Sequence, residues 1–218
     1  MKLNFQELNV AYSNLQQFII QNSNFDPAWL KRYNILILCS LIKNNFSEGN
    51  VIEVGCCWGG TTVLLRNYFN HNYNLFAYDS FEGLSEPNEN DMVGNFHVVK
   101  NNMACTQDIT KNVINNFCTN KNVNYIKGWV NDTIPNDLPE QICFAHIDLD
   151  LYEPTYYSLK HIIPRMVKGG IIVIDDYEDP IWIGVKPACD LIEKEFNIKI
   201  NRLNVPNSDS YQGIFQKL

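Results

Sequence analysis

The 218-residue chain has no Cys-x-x-Cys pair, no long apolar run, no cluster of Lys and Arg, and no opening stretch that is first basic and then apolar. Each absence excludes something. Seven cysteines is an odd number, and Cys39, Cys143 and Cys189 fall inside apolar strand or helix patterns, so reduced core thiols are expected rather than a disulfide framework or a zinc site. Nothing approaches the ~20 apolar residues of a bilayer span, and no signal peptide is expected, which points to a soluble cytoplasmic protein with no membrane partner. With 17 Lys plus Arg against 24 Asp plus Glu the formal charge is -7, and a nucleic-acid surface is not expected. A Walker lysine is missing too, and so is the second glycine of a dinucleotide fingerprint, because Cys57 holds that position.

What is present is a set of short, nearly all-apolar runs that stop abruptly at acids. Ile142 to Ile147 ends at Asp148, and Ile171 to Ile174 ends at Asp175-Asp176, the pattern of strands buried on both faces of a parallel sheet. Between them Pro154 is placed to open a helix, Leu159, Ile162, Ile163 and Met166 recur at helical spacing, and Gly169-Gly170 is expected to end it. A strand-helix-strand unit brings Asp148 and the Asp175-Asp176 pair to one carboxyl edge, where open α/β folds bind ligands. Carboxylates crowded together repel and are costly to desolvate, and the simplest reason to assemble them is a cation. An all-oxygen set suits magnesium or manganese rather than zinc.

Asn50 to Gly55 reads as the first strand, followed by Cys56-Cys57-Trp58-Gly59-Gly60-Thr61 and a helix to about Asn70. Glycines let the backbone approach a ligand and the helix start offers free N–H groups, so this turn suits a nucleoside, while the missing glycine disfavours a pyrophosphate. Asn74 to Asp79 is the next strand. Asp79 lies about twenty residues past the turn, where such folds place the acceptor for ribose hydroxyls. Gly128-Trp129, at the end of the strand from Asn122, is positioned to wall an adenine.

Around this frame, residues 1–45 read as an N-terminal helical cap, with helices at Phe5 to Ile20 and Trp29 to Ile42 that cover the sheet or build a homodimer. Ser80 to Met103 has no periodicity, and residues 80–104 read as a lid insertion. Its Asn88, Asn90, Asp91, Asn95 and His97 supply hydrogen-bond groups suited to a hydroxyl-rich ligand. Helices are expected over Thr106 to Phe117, with Ile109, Val113, Ile114 and Phe117 on one face, and over Trp182 to Phe196, where Pro187 marks a first position. Ile198 to Val205 and Gly213 to Phe215 close the chain as a hairpin. The whole is one domain of α/β class, a mainly parallel sheet with one antiparallel strand near its edge.

Five stretches together resemble the macrocin O-methyltransferase family: Glu53 to Gly60, Asp79 to Leu84, Gly128-Trp129 through Pro135, Asp148 to Glu153, and Asp175-Asp176-Tyr177. The resemblance covers about residues 50–196. It implies a Rossmann-like class I methyltransferase with a seven-stranded sheet and helices on both faces, using S-adenosylmethionine and magnesium to methylate sugar hydroxyls in a biosynthetic pathway. By analogy Glu53, Gly55, Asp79, Ser80 and Phe81 hold the cofactor, with Gly59, Gly60, Thr61, Gly128 and Trp129 completing the cradle, and Asp148, Asp175 and Asp176 hold magnesium. Cys56-Cys57 and Pro154 depart from the family pattern without touching a metal position.

The reaction expected is in-line displacement at a sulfonium methyl by an oxygen nucleophile, which a hard cation would acidify and orient. The base is open among Asp150, His97, His146 and a metal carboxylate; His146, inside an apolar strand, reads first as a core residue. A sugar or glycoside is the expected acceptor and a catechol the alternative. From other classes, a dinucleotide oxidoreductase would need the absent glycine, and a non-catalytic nucleoside-binding module would have no use for the aspartates.

Overall fold

Strands that are apolar on both faces need covering on both faces, and the structure shows how this chain does it. The computed structural model describes residues 5–21, 35–36, 48–69, 72–92, 99–118, 121–204 and 211–218. In chain order these form α1 (Phe5–Gln21), β1 (Asn50–Val54), α2 (Gly60–Phe69), β2 (Leu75–Asp79), a 3-10 turn (Glu89–Asp91), α3 (Gln107–Phe117), β3 (Val123–Lys127), α4 (Val130–Asp137), β4 (Ile142–Ile147), α5 (Tyr152–Arg165), β5 (Met166–Ile174), α6 (Val185–Phe196), β6 (Asn201–Leu203) and β7 (Gln212–Gln216).

The seven strands lie in the order β3-β2-β1-β4-β5-β7-β6. All neighbours from β3 to β5 pair in parallel, and β7 runs antiparallel to both β5 and β6. The single reversed strand is therefore next to the edge, as expected, and helices cover both faces. Alternation along β1 divides the core: Val51 joins the cluster with α1, α2 and α3, while Ile52 and Val54 join the one with α5 and α6. Phe69 of α2 sets its ring 5.0 Å from that of Phe144 on β4. Burying side chains of this size contributes about 1.5–3 kcal/mol each.

Strand order reverses between β1 and β4, so their carboxyl ends diverge from the same point and open a crevice. Gly55 makes that point possible. Its φ is +88°, and a Cβ there would lie 1.8 Å from the carbonyl oxygen of Asp148.

Several boundaries differ from expectation for identifiable reasons. Helix α5 stops at Arg165 and β5 starts at Met166, so Gly169 and Gly170 lie inside a strand. There they exchange main-chain bonds with Lys217, and a Cβ on Gly170 would meet the Met166 side chain at 2.8 Å. Pro154 and Pro187 each occupy the third helical position rather than the first. That costs nothing, because the first four N–H groups of a helix have no internal partner. On α3 the inward residue is Thr110, and Ile109 is exposed. Thr106 caps that helix by accepting from the Ile109 N–H. Helix α1 packs on α2 through Leu8, Ala11 and Leu15. The expected helix from Trp29 to Ile42 lies outside the described residues apart from Ile35 and Leu36, which are helical and buried. No helix among the described residues is long and apolar enough to cross a membrane.

Candidate active site

One cavity of about 720 Å³ runs along the carboxyl edge from the β1 and β2 ends to the β4 and β5 ends. At the first end the turn after β1 is built from backbone. Gly59 donates to the Cys56 carbonyl at 2.7 Å, and Cys57 adopts φ 41°, a left-handed conformation at the position where a dinucleotide site has glycine. Asp79, the last residue of β2, accepts the Cys57 N–H at 2.8 Å through one carboxylate oxygen and the Phe81 N–H at 2.7 Å through the other. Burial pushes the Asp79 carboxyl above its ordinary range, and these two amide donors act against that push. Gly128 donates its N–H to the Asp79 carbonyl at 2.9 Å, which sets Trp129 beside the same end of the cavity.

Of the residues expected to cradle a cofactor, Gly55, Thr61, Asp79, Ser80, Gly128 and Trp129 line the cavity. Glu53, Gly59, Gly60 and Phe81 are not among its lining residues. Glu53 is 1% exposed, accepts the Thr62 hydroxyl, and faces His146 at 3.8 Å across the β1–β4 pair. Gly59 packs against Thr110 and Ile114 of α3, and Gly60 begins α2. Phe81 is buried beside Cys56, Ala77 and Cys105. These four lie at or behind the turn, outside the cavity lining.

At the other end, carboxylate oxygens of Asp148, Asp150 and Asp176 lie within 4.8 Å of one another. The expected metal set was Asp148, Asp175 and Asp176; Asp150 lies with Asp148 and Asp176, while Asp175 is outside this group of three. The cause is local backbone. Asp150 and Asp176 take left-handed conformations at φ 62° and 56°, which turn both side chains off the strand direction. Asp175 is 5% exposed and accepts the side-chain amide of Gln212 on β7, although it still reaches the cavity wall. His146 is 3% exposed within β4 and does not line the cavity. His97 lies outside the described residues.

The rim differs most from the sequence reading. Residues 80–92 and 99–104 hold each other, with Leu84 N–H to the Asn102 carbonyl and Asn101 N–H to the Leu84 carbonyl, both 2.9 Å. Gly83, Leu84, Ser85 and Glu86 line the cavity, whereas Asp91 is buried and occupied by main-chain donors. Asn88 is likewise engaged, accepting the Asn90 N–H at 2.8 Å. The Asn88-x-x-Asp91 spacing of a reciprocal cap is visible in the sequence and is the signal that separates these two from free ligand donors. Trp182, Tyr211 and Gln212 also line the acid end. Nothing local marks them, since they arrive from a turn and from the reversed strand.

This strand order, with a glycine turn after β1 and an acid at the end of β2, is that of the class I methyltransferases. The structure of the O-methyltransferase NovP superposes with a TM-score of 0.72 at 25% identity, covering 86% of this chain and 80% of that one. The calicheamicin methyltransferase CalS11 superposes with a TM-score of 0.68 at 22% identity, covering 94% and 91%. More particularly, residues 32–208 match the macrocin-O-methyltransferase (TylF) family, and the chain belongs to that family. It is an S-adenosylmethionine-dependent O-methyltransferase. Demethyldecarbamoylnovobiocin O-methyltransferase of Streptomyces niveus is 26% identical over 193 residues, 84% of this chain and 72% of that protein. Mycinamicin III 3''-O-methyltransferase of Micromonospora griseorubida is 27% identical over 161 residues, 68% of this chain and 63% of that protein. A tetracenomycin-C 4'-O-methyltransferase of Streptomyces olivaceus, acting on a dimethoxy-rhamnosyl compound, is 27% identical over 158 residues; the chain spans 60% of its length.

Proposed function

We propose that this enzyme methylates a hydroxyl of a sugar or glycoside with the help of a divalent cation, magnesium by preference. The observation that carries the reading is the single cavity joining the Asp79 cradle to the acid group. Curated relatives named for glycosylated acceptors support the sugar.

The residues present fit a hard cation: three carboxylates converge within 4.8 Å, an all-oxygen donor set, at a place where they would otherwise repel. Asp148 and Asp176 would hold it, with Asp175 on the cavity wall as the third ligand and Asp150 beside them left as the base. A cation there would lower the pKa of an acceptor hydroxyl and stabilise the alkoxide. S-adenosylmethionine would supply an electrophilic methyl on a positively charged sulfur. Asp79 orients the nucleoside through its ribose hydroxyls, and Trp129 flanks the base. Asp150 takes the acceptor proton as the oxygen–carbon bond forms and the carbon–sulfur pair returns to sulfur. Ser85 and Glu86 line the rim and would present polar groups to the acceptor, a role as cover for the described rim residues 80–92 and 99–104.

A catechol is the second reading, favoured by Trp182 and Tyr211 at the acid end, where two aromatic faces could clamp a flat ring. Transfer of labelled methyl to panels of glycosides and catechols, with and without magnesium, separates the two. Preference for glycosides with loss of transfer in excess chelator is the expected result, and full transfer in chelator would refute the cation.

A further inference from the structure

Asp91 is 3% exposed, yet it is not among the residues lining the cavity. One carboxylate oxygen accepts the Asn88 N–H at 2.9 Å, and the other accepts the Tyr152 N–H at 2.7 Å. Tyr152 is the first residue of α5, and Leu151 before it offers no side-chain cap. A local Ser, Asp or Asn would serve an ordinary helix start. Here the cap comes from 61 residues earlier in the chain.

A third segment reaches the same carboxylate. Gly184, just before α6, has φ -68°, so no backbone demand requires glycine there. Space does: a Cβ on Gly184 would lie 1.9 Å from the Asp91 carboxylate and 2.8 Å from the Tyr152 nitrogen. Burial pushes the Asp91 carboxyl above its ordinary range despite its two amide donors. The stability linked to this shift is therefore present at low pH and lost as pH rises through the raised value.

We propose that Asp91 is a positioning residue for methyl transfer, strapping the cavity rim to the two turns that carry Asp148, Asp150 and Asp176. The first turn, from Asp148 to Leu151, feeds α5; the second, from Asp175 to Gly184, feeds α6. Both turns and the rim meet on one side chain, so the spacing of the three acids is tied to the rim segment that carries Ser85 and Glu86. This inference rests on the acid group being the reacting end.

Asp91→Asn and Gly184→Ala reach the contact from opposite sides. Asn replaces one acceptor oxygen by a donor that faces an N–H, and Ala pushes the intact carboxylate away from Tyr152. Hydrogen exchange on the full chain is expected to speed up about ten-fold or more in peptides covering 148–156 and 84–92, with 50–62 unchanged, as loss of a local restraint does. Calorimetric titration with Mn2+ is expected to show affinity reduced about 10–100-fold, the usual effect of disturbing groups behind metal ligands, with adenosylhomocysteine affinity within about two-fold of the parent. Unchanged exchange in 148–156 overturns the proposal. So does a parallel fall in adenosylhomocysteine affinity, which would mark a general structural role, and so does failure of both variants to fold. If the parent chain binds no Mn2+, the cation reading is what fails, and the exchange result alone decides the strap.

Discussion

The two ends of the cavity are built in opposite ways. The cofactor end is local: the 55–61 turn and the 79–81 turn follow adjacent parallel strands, and main-chain amides fix Asp79 from both. The acid end is assembled from distance: Asp148 and Asp150 follow β4, Asp176 follows β5, and the neighbouring Tyr152 and Asp175 are held by Asp91 on the rim and Gln212 on β7. A local cradle tolerates changes elsewhere. An assembled group depends on every segment that meets there, and it should be possible to damage one end without the other.

The largest effect should come from the acids themselves. Asp148→Asn, Asp150→Asn or Asp176→Asn is expected to lower kcat by roughly 10²–10⁴-fold, the range for losing a group that handles the transferred proton. The fold should survive, because neutralising one of three crowded carboxylates relieves repulsion. Adenosylhomocysteine titration should match the parent. A cofactor affinity that falls with kcat would erase the distinction between the ends.

Gly55→Ala is the next largest and should break the separation deliberately. The new Cβ would sit 1.8 Å from the Asp148 carbonyl, and φ +88° strains any residue with a side chain. Backbone strain of this kind costs about 1–3 kcal/mol, and both cofactor and metal affinity are expected to drop, because this is where β1 and β4 touch. Calorimetry with each ligand separately would show it; loss of only one would mean that the ends are independent even at their junction.

This contrast also explains what could be read from the sequence. The geometry at the β1 and β2 ends was legible because its signals are short-range: an apolar run, a glycine turn, and an acid about twenty residues on. The buried strands followed from the same runs. The acid end was legible as far as strand ends reach: Asp148 and Asp176 come together, Asp150, a candidate base, joins them, and Asp175 lies outside that group of three. Whether Asp150 or Asp175 faces the others depends on left-handed backbone at Asp150 and Asp176 and on an amide from β7, none of which leaves a periodic trace. Asp91 was read as a ligand donor because polarity in an aperiodic segment looks the same whether it faces solvent or caps a helix 61 residues away. Glu53 shows the converse: its motif position is right, but its side chain turns back to Thr62 and His146.

Asp79 sharpens the local side of the comparison. Asp79→Ala removes the acceptor for ribose and two turn restraints, and should weaken adenosylhomocysteine binding by about 1–3 kcal/mol while leaving Mn2+ affinity intact. The pH dependence has two signs. With its carboxyl raised by burial, Asp79 contributes stability to the unliganded fold that is present below the ordinary carboxylate value and lost as pH rises through the raised one. Cofactor binding needs the anion, so affinity should fall on acidification while the pH is still above the ordinary carboxylate range. Asp79→Asn should flatten that part of the profile; an unchanged profile would assign the titration to another group.

The smallest effect concerns how the cradle is held from behind. Thr110 of α3 is fully buried, and its hydroxyl donates to the Cys57 carbonyl, while the Cys57 N–H donates to Asp79. A chain of two hydrogen bonds thus links α3 to the ribose acceptor. Thr110→Val keeps the shape and removes the hydroxyl, and a single neutral hydrogen bond contributes about 0.5–1.5 kcal/mol. Cys57 is only half-buried, so water can partly replace the lost donor, which places the expected cost at the low end of that range. Thermal unfolding should register most of it. If the turn relaxes with it, adenosylhomocysteine affinity should weaken by roughly two- to five-fold, the equivalent of under 1 kcal/mol. Mn2+ affinity should not move, because neither bond of this chain involves the β4 and β5 turns. A shift in Mn2+ affinity without one in adenosylhomocysteine affinity would place α3 behind the wrong end of the cavity.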